Sequence, residues 1–401
     1  MNLSTRSRAC DEYFESRCGG PDRLLMKVVE PDRIRAVLHS REAVRAPLMS
    51  KLAGESMVWI DGADWLLRRK LSQPVFLPRN EIRQKGIVDW VVSGLMDRLT
   101  AASERGESIL ITDEFLRMTT RFLYRFAFDI DLPADHDRAP VVSDYFAAIS
   151  RLSFWIQHRD RPLDLKDQQD VRIACARMDA EIDRIMRSEP GSGSLLGSLI
   201  EARVAGKQTD AQVRDEVRGL FIAGTETTSL TLAWACLLLG EFPEWQERVA
   251  RDLDDPGPDP LLEAVLKETM RLYPAAPFMT RIVESACDLG FGPLSANTEL
   301  LVSIYHTHRN PDHWPDPDRF DPQRFLGEPD HHRYAWLPFG GGRHLCIGQR
   351  VAVMEAADTL RSILRRFRIH RDDHDHVEAL LGVTLKPSRS LRVRLERRGS
   401  R

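Results

Sequence analysis

The sequence predicts a mainly α-helical fold with a small β-rich part, and three observations carry this prediction. Between Trp65 and about Ile200 the apolar residues recur mostly at steps of three and four, the period of helices buried on one side. Thr209 and Gln212 form a capping box, after which a helical pattern runs unbroken to Gly240. Alternating, strand-like patterns are confined to short stretches near both termini and between residues 278 and 302.

The individual elements follow in chain order. A strand is predicted at Leu24–Val29, and a short helix follows Pro31, whose fixed φ suits a first helical turn. Clusters of glycine and proline then separate the helices of the region up to residue 200. The later elements are a helix that begins at Asp259-Pro260 and ends before Pro274, turn-rich strands from Phe278 to Val302, a helix from near Ile347 to about Arg366, and terminal strands marked by Leu385, Leu391, Val393 and Leu395.

Composition limits the possible functions. The chain has 401 residues, which at roughly 150 residues per domain suggests two or three domains. A hydrophobic fraction of 42% with 29% charged residues is that of an ordinary globular protein, which excludes disorder, collagen and a membrane bundle. The formal net charge of -3 provides no basic field for a nucleic-acid backbone, so no nucleic-acid partner is expected.

The cysteines and the N-terminal segment indicate the compartment. Six cysteines are too sparse for a disulfide framework and are expected to be free thiols in a reducing compartment: Cys10, Cys18, Cys175, Cys236, Cys287 and Cys346. The N-terminal segment has neither the apolar core nor the cleavage site of a signal peptide. The longest apolar run, Leu230–Leu239, is about half of a membrane-spanning helix. We therefore expect a soluble, cytoplasmic protein that does not associate with a membrane.

The most distinctive segment is a glycine-rich loop, from Phe339 to Gly348, that delivers Cys346 to the start of a helix. The free amides and the positive dipole end of a helix N-terminus stabilise a thiolate, which is the form of cysteine that binds iron. The glycines would let the backbone approach a flat partner, beside which Phe339 would pack. His344 would donate to an acidic group of that partner.

Three other interpretations of this loop compete with iron binding. A phosphate-binding loop would need a Lys-Ser/Thr ending or a dinucleotide spacing, and Leu345 stands where that spacing requires glycine. A cysteine nucleophile would need a histidine base held nearby in space, and His344 lies two residues away in the same loop. An inert buried cysteine remains open from the loop alone.

The loop resembles the haem-binding signature of the cytochrome P450 monooxygenases, Phe-x-x-Gly-x-(Arg or His)-x-Cys-x-Gly. Phe339, Gly342, His344, Cys346 and Gly348 match it without a gap. The resemblance implies haem b (iron protoporphyrin IX) as the cofactor, bound by the loop that also contains Gly340. It further implies that Cys346 is the proximal thiolate ligand of the iron, which favours O–O cleavage.

A polar patch on the long central helix, Ala223-Gly224-Thr225-Glu226-Thr227-Thr228, supports the resemblance. By themselves, threonines that bond back to the preceding helical turn would explain it. The family carries Ala/Gly-Gly-x-Asp/Glu-Thr here, at a helix kink that opens an oxygen pocket. The resemblance thus gives Thr227 and Glu226 roles in proton delivery and places Ala223 and Gly224 beside the haem.

A second distant motif is structural. Glu268 and Arg271 lie three residues apart, on one face of a predicted helix, where an isolated pair would be exposed and of little value. In the family this pair is buried and completed by an arginine from a later segment, here Pro322-Gln323-Arg324-Phe325. Gln323 departs from the family pattern, but Arg324 is in place. The resemblance implies a network that holds the loop presenting Cys346.

The resemblance also names partners for the haem propionates. Trp65 and Arg69 match a Trp-x-x-x-Arg pattern whose side chains reach a propionate, with Arg68 as an adjacent alternative. Arg281 and His344 are implied as further partners. Without the resemblance, Trp65 and Arg69 would equally fit a surface helix with a packed tryptophan.

The resemblance implies one cytochrome P450 haem domain over residues 1–401, mainly helical, with a small β-rich lobe built from both ends. Such a monomer would insert one oxygen atom from O2 into a hydrophobic small molecule. Because the length leaves no room for a fused reductase, ferredoxin and ferredoxin reductase would bring electrons from NAD(P)H. An acidic ferredoxin would dock at Arg343 and Arg350, with Arg68 and Lys70 nearby.

Two other functions remain open: a non-oxygenating rearrangement or ring formation at the same iron, and a haem-based sensor of gas or ligand without turnover. Glu226 and Thr227 speak against both, since neither needs a proton relay. The substrate pocket is expected to be lined by Leu48–Ile60, Ala275–Met279 and Gly382–Leu385, which are mainly apolar. This lining favours a terpenoid, polyketide or aromatic metabolite of secondary metabolism.

Overall fold

The computed structural model describes residues 25–133, 137–157, 164–191, 193–253, 257, 259–328, 331–372 and 376–399. It divides the chain into two compact units. The first unit comprises Met1–Ala46, Leu95–Thr112 and Leu230–Arg401, and the second comprises Pro47–Gly94 and Asp113–Ser229. Leu24 of the predicted first strand, together with Cys10 and Cys18, lies outside the described residues.

Helices dominate the described chain, as the three- and four-residue periodicity predicts. Those in the first half are α1 (Pro31–His39), α2 (Leu48–Ala53), α3 (Gly62–Phe76), α4 (Glu81–Glu104), α5 (Ile111–Leu123), α6 (Ala139–Gln157), α7 (Leu165–Met186) and α8 (Leu195–Val204). Those in the second half are α9 (Asp210–Gly224), α10 (Glu226–Glu241), α11 (Pro243–Asp252), α12 (Pro260–Leu272), α13 (Ile304–Thr307) and α14 (Gln349–Arg366).

The local signals that begin these helices act as expected. Pro31 is the first residue of α1, where its missing N–H costs no helical hydrogen bond. Thr209 accepts a hydrogen bond from the Gln212 amide, and the Gln212 side chain accepts one from the Thr209 amide, which completes the capping box of α9. The predicted boundaries of α12 and α14 are confirmed to within about two residues.

The described strands all lie in the first unit. They are β1 (Leu25–Val28), β2 (Ala43–Arg45), β3 (Ile109–Leu110), β4 (Phe278–Val283), β5 (Cys287–Asp288), β6 (Pro293–Leu294), β7 (Glu299–Ser303), β8 (Phe367–Arg371), β9 (Ala379–Leu381), β10 (Leu385–Pro387) and β11 (Arg392–Arg397). The largest sheet has the order β1-β7-β4-β2, with β1 and β7 parallel. The others have the orders β3-β11-β8, β10-β9 and β5-β6.

The β-rich lobe is more complicated than two chain ends joined in one sheet. The N-terminal strands β1 and β2 pair with β7 and β4 from the middle of the chain, whereas the C-terminal strand β11 pairs with β3 and β8. Sequence periodicity locates strands but does not identify their partners, because pairing depends on tertiary packing. The largest sheet, β1-β7-β4-β2, packs against α1 through a shared apolar core that includes Ile34, Val37, Val283 and Val302.

The long central helix is interrupted, which the apolar pattern alone did not predict. Thr225 separates α9 from α10 with φ -115 and ψ -70. The helix is therefore broken at the place where the family resemblance implies a kink. The stretch Asp210–Glu241 is long and apolar enough to cross a membrane by length and composition, but 83% of its apolar window is buried, as in the core helix of a globular protein.

Candidate active site

The cysteine loop is closed by its own backbone. The Cys346 amide donates to the Phe339 carbonyl at 3.0 Å, and the Gly340 amide donates to the Leu337 carbonyl at 2.9 Å. A short 3-10 turn, Gly342–His344, lies between them. Gly348 occupies the N-cap position of α14, so Cys346 comes two residues before the cap. This geometry holds the thiol close to the positive end of a helix of 18 residues.

Glycine is required at Gly342. Its φ is +64, in the left-handed region, and a Cβ added there would collide with the Leu38 carbonyl oxygen of α1. Gly340 also has a positive φ, of +72, and a Cβ there would lie 3.4 Å from the Met279 sulfur. The two glycines therefore let the loop lie directly against α1 and β4.

Arg281 lies on the strand that faces the loop. Met279 and Arg281 are two residues apart on β4 and so project from the same face of the sheet. Since Met279 contacts the position of Gly340, Arg281 projects from the face of the strand that the loop covers. Its side chain is buried, with 3% of the residue exposed, and donates to the Thr280 carbonyl at 2.9 Å.

Cys346 itself is exposed and is not part of a disulfide. It borders an open depression of about 440 Å³ that is also lined by Ile347, Gln349, Arg350 and Val353. Because Cys346 is exposed, it is not an inert buried cysteine. By contrast, Cys236 is such a cysteine: burial raises the pKa of its thiol to about 12.

A buried ionic network behind the loop is confirmed. Arg271 donates to the two carboxylate oxygens of Glu268, from Nε at 2.6 Å and from Nη2 at 2.8 Å, and neither side chain is exposed. Arg324 Nε lies 3.5 Å from Glu268 Oε1, and the Asp321 amide donates to the same oxygen at 2.9 Å. Burial raises the pKa of the Glu268 carboxyl, and the hydrogen-bonded Arg271 guanidinium opposes that rise.

In the second unit, Thr227 lies two residues after the helix break. Its hydroxyl donates to the Ala223 carbonyl, one turn earlier, at 2.8 Å. Thr225 and Ser229 make equivalent bonds, to the carbonyls of Phe221 and Glu226, at 2.7 and 2.9 Å. This back-bonding is what the threonines predict when taken alone. It also uses the single hydroxyl hydrogen of Thr227, which leaves the oxygen as a hydrogen-bond acceptor.

One face of this buried helix is accessible. Between Glu216 and Leu239 every residue is buried except Arg218, Ala223, Gly224 and Thr227. Ala223, Gly224 and Thr227 have the spacing of a single helix face, beside the break. Glu226 is buried, with 7% exposed. Three of the four residues that the resemblance implies on this helix are thus the ones that stay accessible.

Trp65 and Arg69 lie one turn apart on the same face of α3. Trp65 is buried and Arg69 is half-buried. The adjacent Arg68, predicted as an alternative propionate partner and as part of a docking surface, serves neither purpose. It is 1% exposed and donates to Glu216 at 2.9 Å and to the Glu55 carbonyl. Glu216 lies 148 residues further along the chain, so no local pattern could predict this pair.

The twelve predicted site residues divide evenly between the two units. Those in the first unit are Arg281, Phe339, Gly340, His344, Cys346 and Gly348; those in the second unit are Trp65, Arg69, Ala223, Gly224, Glu226 and Thr227. Within the first unit the loop residues lie together and Arg281 lies on the strand they cover. Within the second unit the helix residues lie on and beside one break.

The residues present fit a haem. An exposed thiol near a helix N-terminus is a suitable iron ligand, a buried guanidinium suits a propionate, and the accessible helix face is free of large side chains. Within the described ranges, no group of three or more His, Cys, Asp or Glu side chains could hold a metal ion.

Comparisons with known proteins agree with this fit. The family model for cytochrome P450 matches residues 22–391. Cyclooctat-9-en-7-ol 5-monooxygenase of Streptomyces melanosporofaciens is 30% identical, over 87% of this chain and 81% of that protein. The crystal structure of CYP175A1 from Thermus thermophilus has a TM-score of 0.76 at 27% identity, covering 93% of this chain and 89% of that one. A six-coordinated cytochrome P450 from another strain of Thermus thermophilus has a TM-score of 0.73 at 26% identity, covering 92% and 91%.

Proposed function

Because this chain belongs to the cytochrome P450 family of haem-dependent monooxygenases, we propose that it inserts one oxygen atom from O2 into a hydrophobic small molecule, with Cys346 as the iron ligand. The observation that carries this proposal is the exposed Cys346 thiol, held in a closed glycine loop next to a helix N-terminus. When bound, the haem would supply activation of O2. We further propose that residues 1–401 act as one monomeric, cytoplasmic haem domain.

The chain's own residues would bind and orient the cofactor. The Cys346 thiolate would bind the iron. Gly340 and Gly348 would let the loop backbone approach the haem ring closely, and Phe339 would pack beside it. Arg281, His344, Trp65 and Arg69 would bind the two propionates, since buried carboxylates need cationic or hydrogen-bonding partners. Ala223 and Gly224 would leave space for the haem beside the helix, because neither has a side chain larger than a methyl group.

Thr227 and Glu226 would take part in proton delivery. Since the Thr227 hydroxyl already donates to Ala223, its oxygen would accept a hydrogen bond from a water or a protonated ligand and hold that donor in place. Glu226, buried next to it, would resupply the proton.

Thr227→Ala tests this assignment. Product formed per NAD(P)H consumed should fall on the order of tenfold or more, because the proton donor is no longer held, while NAD(P)H consumption continues. Thr227→Ser should restore coupling. Ser229→Ala, which removes a comparable back-bonded hydroxyl at 2.9 Å from the Glu226 carbonyl, is the matched control and should remain coupled. Full coupling in Thr227→Ala would refute the role.

A terpenoid is the substrate class we favour among terpenoids, polyketides and aromatic metabolites of secondary metabolism. The relative from Streptomyces is named for oxidation of cyclooctat-9-en-7-ol. Two of the three segments expected to line the pocket meet through the Leu385 amide, which donates to the Ala275 carbonyl at 3.1 Å. Binding spectra with hydrophobic compounds of each class would test the preference, which tighter binding of polyketide or aromatic compounds would contradict.

Electrons are proposed to come from NAD(P)H through ferredoxin reductase and an acidic ferredoxin. Arg343 is exposed and Arg350 borders the depression beside Cys346, so both could meet an acidic partner. Arg343→Glu and Arg350→Glu should slow reduction by ferredoxin at low salt and converge with the wild type at high salt. Arg397→Glu, at a side chain 64% exposed on β11, is the control. Unchanged reduction rates in the first two variants would refute docking there.

A further inference from the structure

His308 links the buried ionic network to the cysteine loop. It follows α13 and is fully buried, with 0% of the residue exposed. Its Nε2 accepts a hydrogen bond from the Leu337 amide at 2.9 Å. Its Nδ1 lies 3.1 Å from the Arg271 carbonyl oxygen. One imidazole therefore bridges α12 and the chain just before Phe339.

These partners determine the state of the ring. A backbone amide can only donate, so Nε2 carries no hydrogen, and a carbonyl can only accept, so Nδ1 carries the hydrogen. The ring is neutral: burial, aided by the neighbouring Arg271 and Arg309 charges, lowers the pKa of His308 to about 3. The bridge thus persists at every pH at which the protein would be used.

The bridge lies on an unbroken path of contacts from the ion pair to Cys346. Arg271 is bound to Glu268 and also donates from Nη1 to the His308 carbonyl at 2.8 Å, so His308 and Arg271 are joined twice. His308 then fixes the Leu337 amide, and the Leu337 carbonyl accepts from Gly340 at 2.9 Å. Two residues beyond Leu337, Phe339 accepts from the Cys346 amide.

The Leu337 side chain packs in the apolar core that contains Ile34 and Val302. Side-chain hydrogen bonds other than the one from His308 hold the two residues before it. The Trp314 indole donates to the Ala335 carbonyl at 3.3 Å, and the Trp336 indole donates to the Lys267 carbonyl at 3.2 Å. Of these side-chain contacts, the one from His308 lies nearest to the loop in sequence. We propose that His308 is a positioning residue that sets the direction of the cysteine loop through Leu337, so that the Cys346 thiolate reaches the iron.

This inference rests on Cys346 being the iron ligand, and it can be tested without measuring turnover. His308→Gln keeps an acceptor near the position of Nε2, whereas His308→Asn keeps a donor near the position of Nδ1 but cannot reach the Leu337 amide. Each variant leaves one buried backbone group without its partner, so their thermal unfolding midpoints should fall by similar amounts. Only His308→Asn should disturb the loop.

The readout is the absorption spectrum of the reduced, carbon-monoxide-bound holoenzyme, which distinguishes thiolate-ligated from other haem. In His308→Asn the ratio of non-thiolate to thiolate form should rise on the order of tenfold, the effect of one unsatisfied buried amide. His308→Gln should stay close to the wild type. His306→Asn and His306→Gln, at a histidine that bonds to Ser303 instead, are controls and should not change the ratio.

The outcomes separate the two proposals. If the wild type itself lacks the thiolate band, the assignment of Cys346 fails. If the wild type has the band and both His308 variants keep it, or both lose it equally, His308 does not act through Leu337 and the inference is wrong.

Discussion

The Glu268–Arg271 pair provides a quantitative test of how the first unit holds its site. We consider Glu268→Gln, which preserves the shape of the side chain but removes its charge. The carboxylate accepts two bonds from Arg271 and one from the Asp321 amide, and both members of the ion pair are fully buried. The variant therefore leaves the buried Arg271 guanidinium without the carboxylate that balances its charge.

The expected loss follows from that burial. Breaking a buried ion pair by removing one partner costs about 3–5 kcal/mol, a large share of the roughly 5–15 kcal/mol by which proteins are stable. The same helix provides a matched control: Glu263 and Lys267 form a pair at 3.6 Å, with side chains 56% and 39% exposed. Glu263→Gln should cost only about 0.3–0.5 kcal/mol, since an exposed pair on one helix is weak.

Urea unfolding of both variants and the wild type, followed by circular dichroism, measures the difference. The loss in Glu268→Gln should persist in high salt, because buried charges are poorly screened, and the small loss in Glu263→Gln should vanish. A Glu268→Gln protein within about 1 kcal/mol of the wild type, or an equal loss in Glu263→Gln, would refute the reasoning.

Two further predictions concern single residues. Burial raises the pKa of Glu216 to about 7 from an ordinary value of 4.5, although Arg68 and the Met57 amide oppose the rise. A carboxyl whose pKa is raised by folding stabilises the folded state. This stabilisation is complete below pH 4.5 and is lost as the pH rises through 7. Urea titrations between those pH values should show this decline in the wild type and not in Glu216→Gln, and an equal decline in both would contradict it. Gly342→Ala should lower the thermal midpoint and the thiolate-ligated fraction, through backbone strain of about 1–3 kcal/mol and the collision with Leu38. Gly290→Ala, with a φ of +86 and open space around it, carries the strain alone and should keep the ligated fraction; an equal loss there would be contrary to this account.

Most of the local structural features could be predicted from the sequence. The capping box of α9, the proline that begins α1 and the positions of the later strands are encoded within a few residues of where they act, and the structure confirms them. The spacing around Cys346 identified the loop because the chemistry of a single ligand is concentrated in consecutive residues. The pairing of Glu268 with Arg324 was accessible only through the family resemblance.

What sequence reasoning missed depends on distant partners. Arg68 seemed as available as Arg69, since nothing near it indicates that Glu216 buries it. The partners of His308 could not be predicted, because Arg271 and Leu337 lie 37 and 29 residues away in the chain. The break at Thr225 is invisible to hydrophobic periodicity, which continues through it. The misses at Arg68 and His308 are tertiary contacts that override or add to a local preference.

The absorption spectrum of the reduced, carbon-monoxide-bound protein shows whether a cysteine thiolate binds the iron. We expect the red-shifted band of a thiolate-ligated haem in the wild type and its loss in Cys346→Ser. Cys287→Ser, at a partly exposed cysteine of the first unit that is also outside any disulfide, is the matched control and should keep the band. A wild type without the band, or a Cys346→Ser protein that retains it, would refute the assignment of Cys346 as the iron ligand.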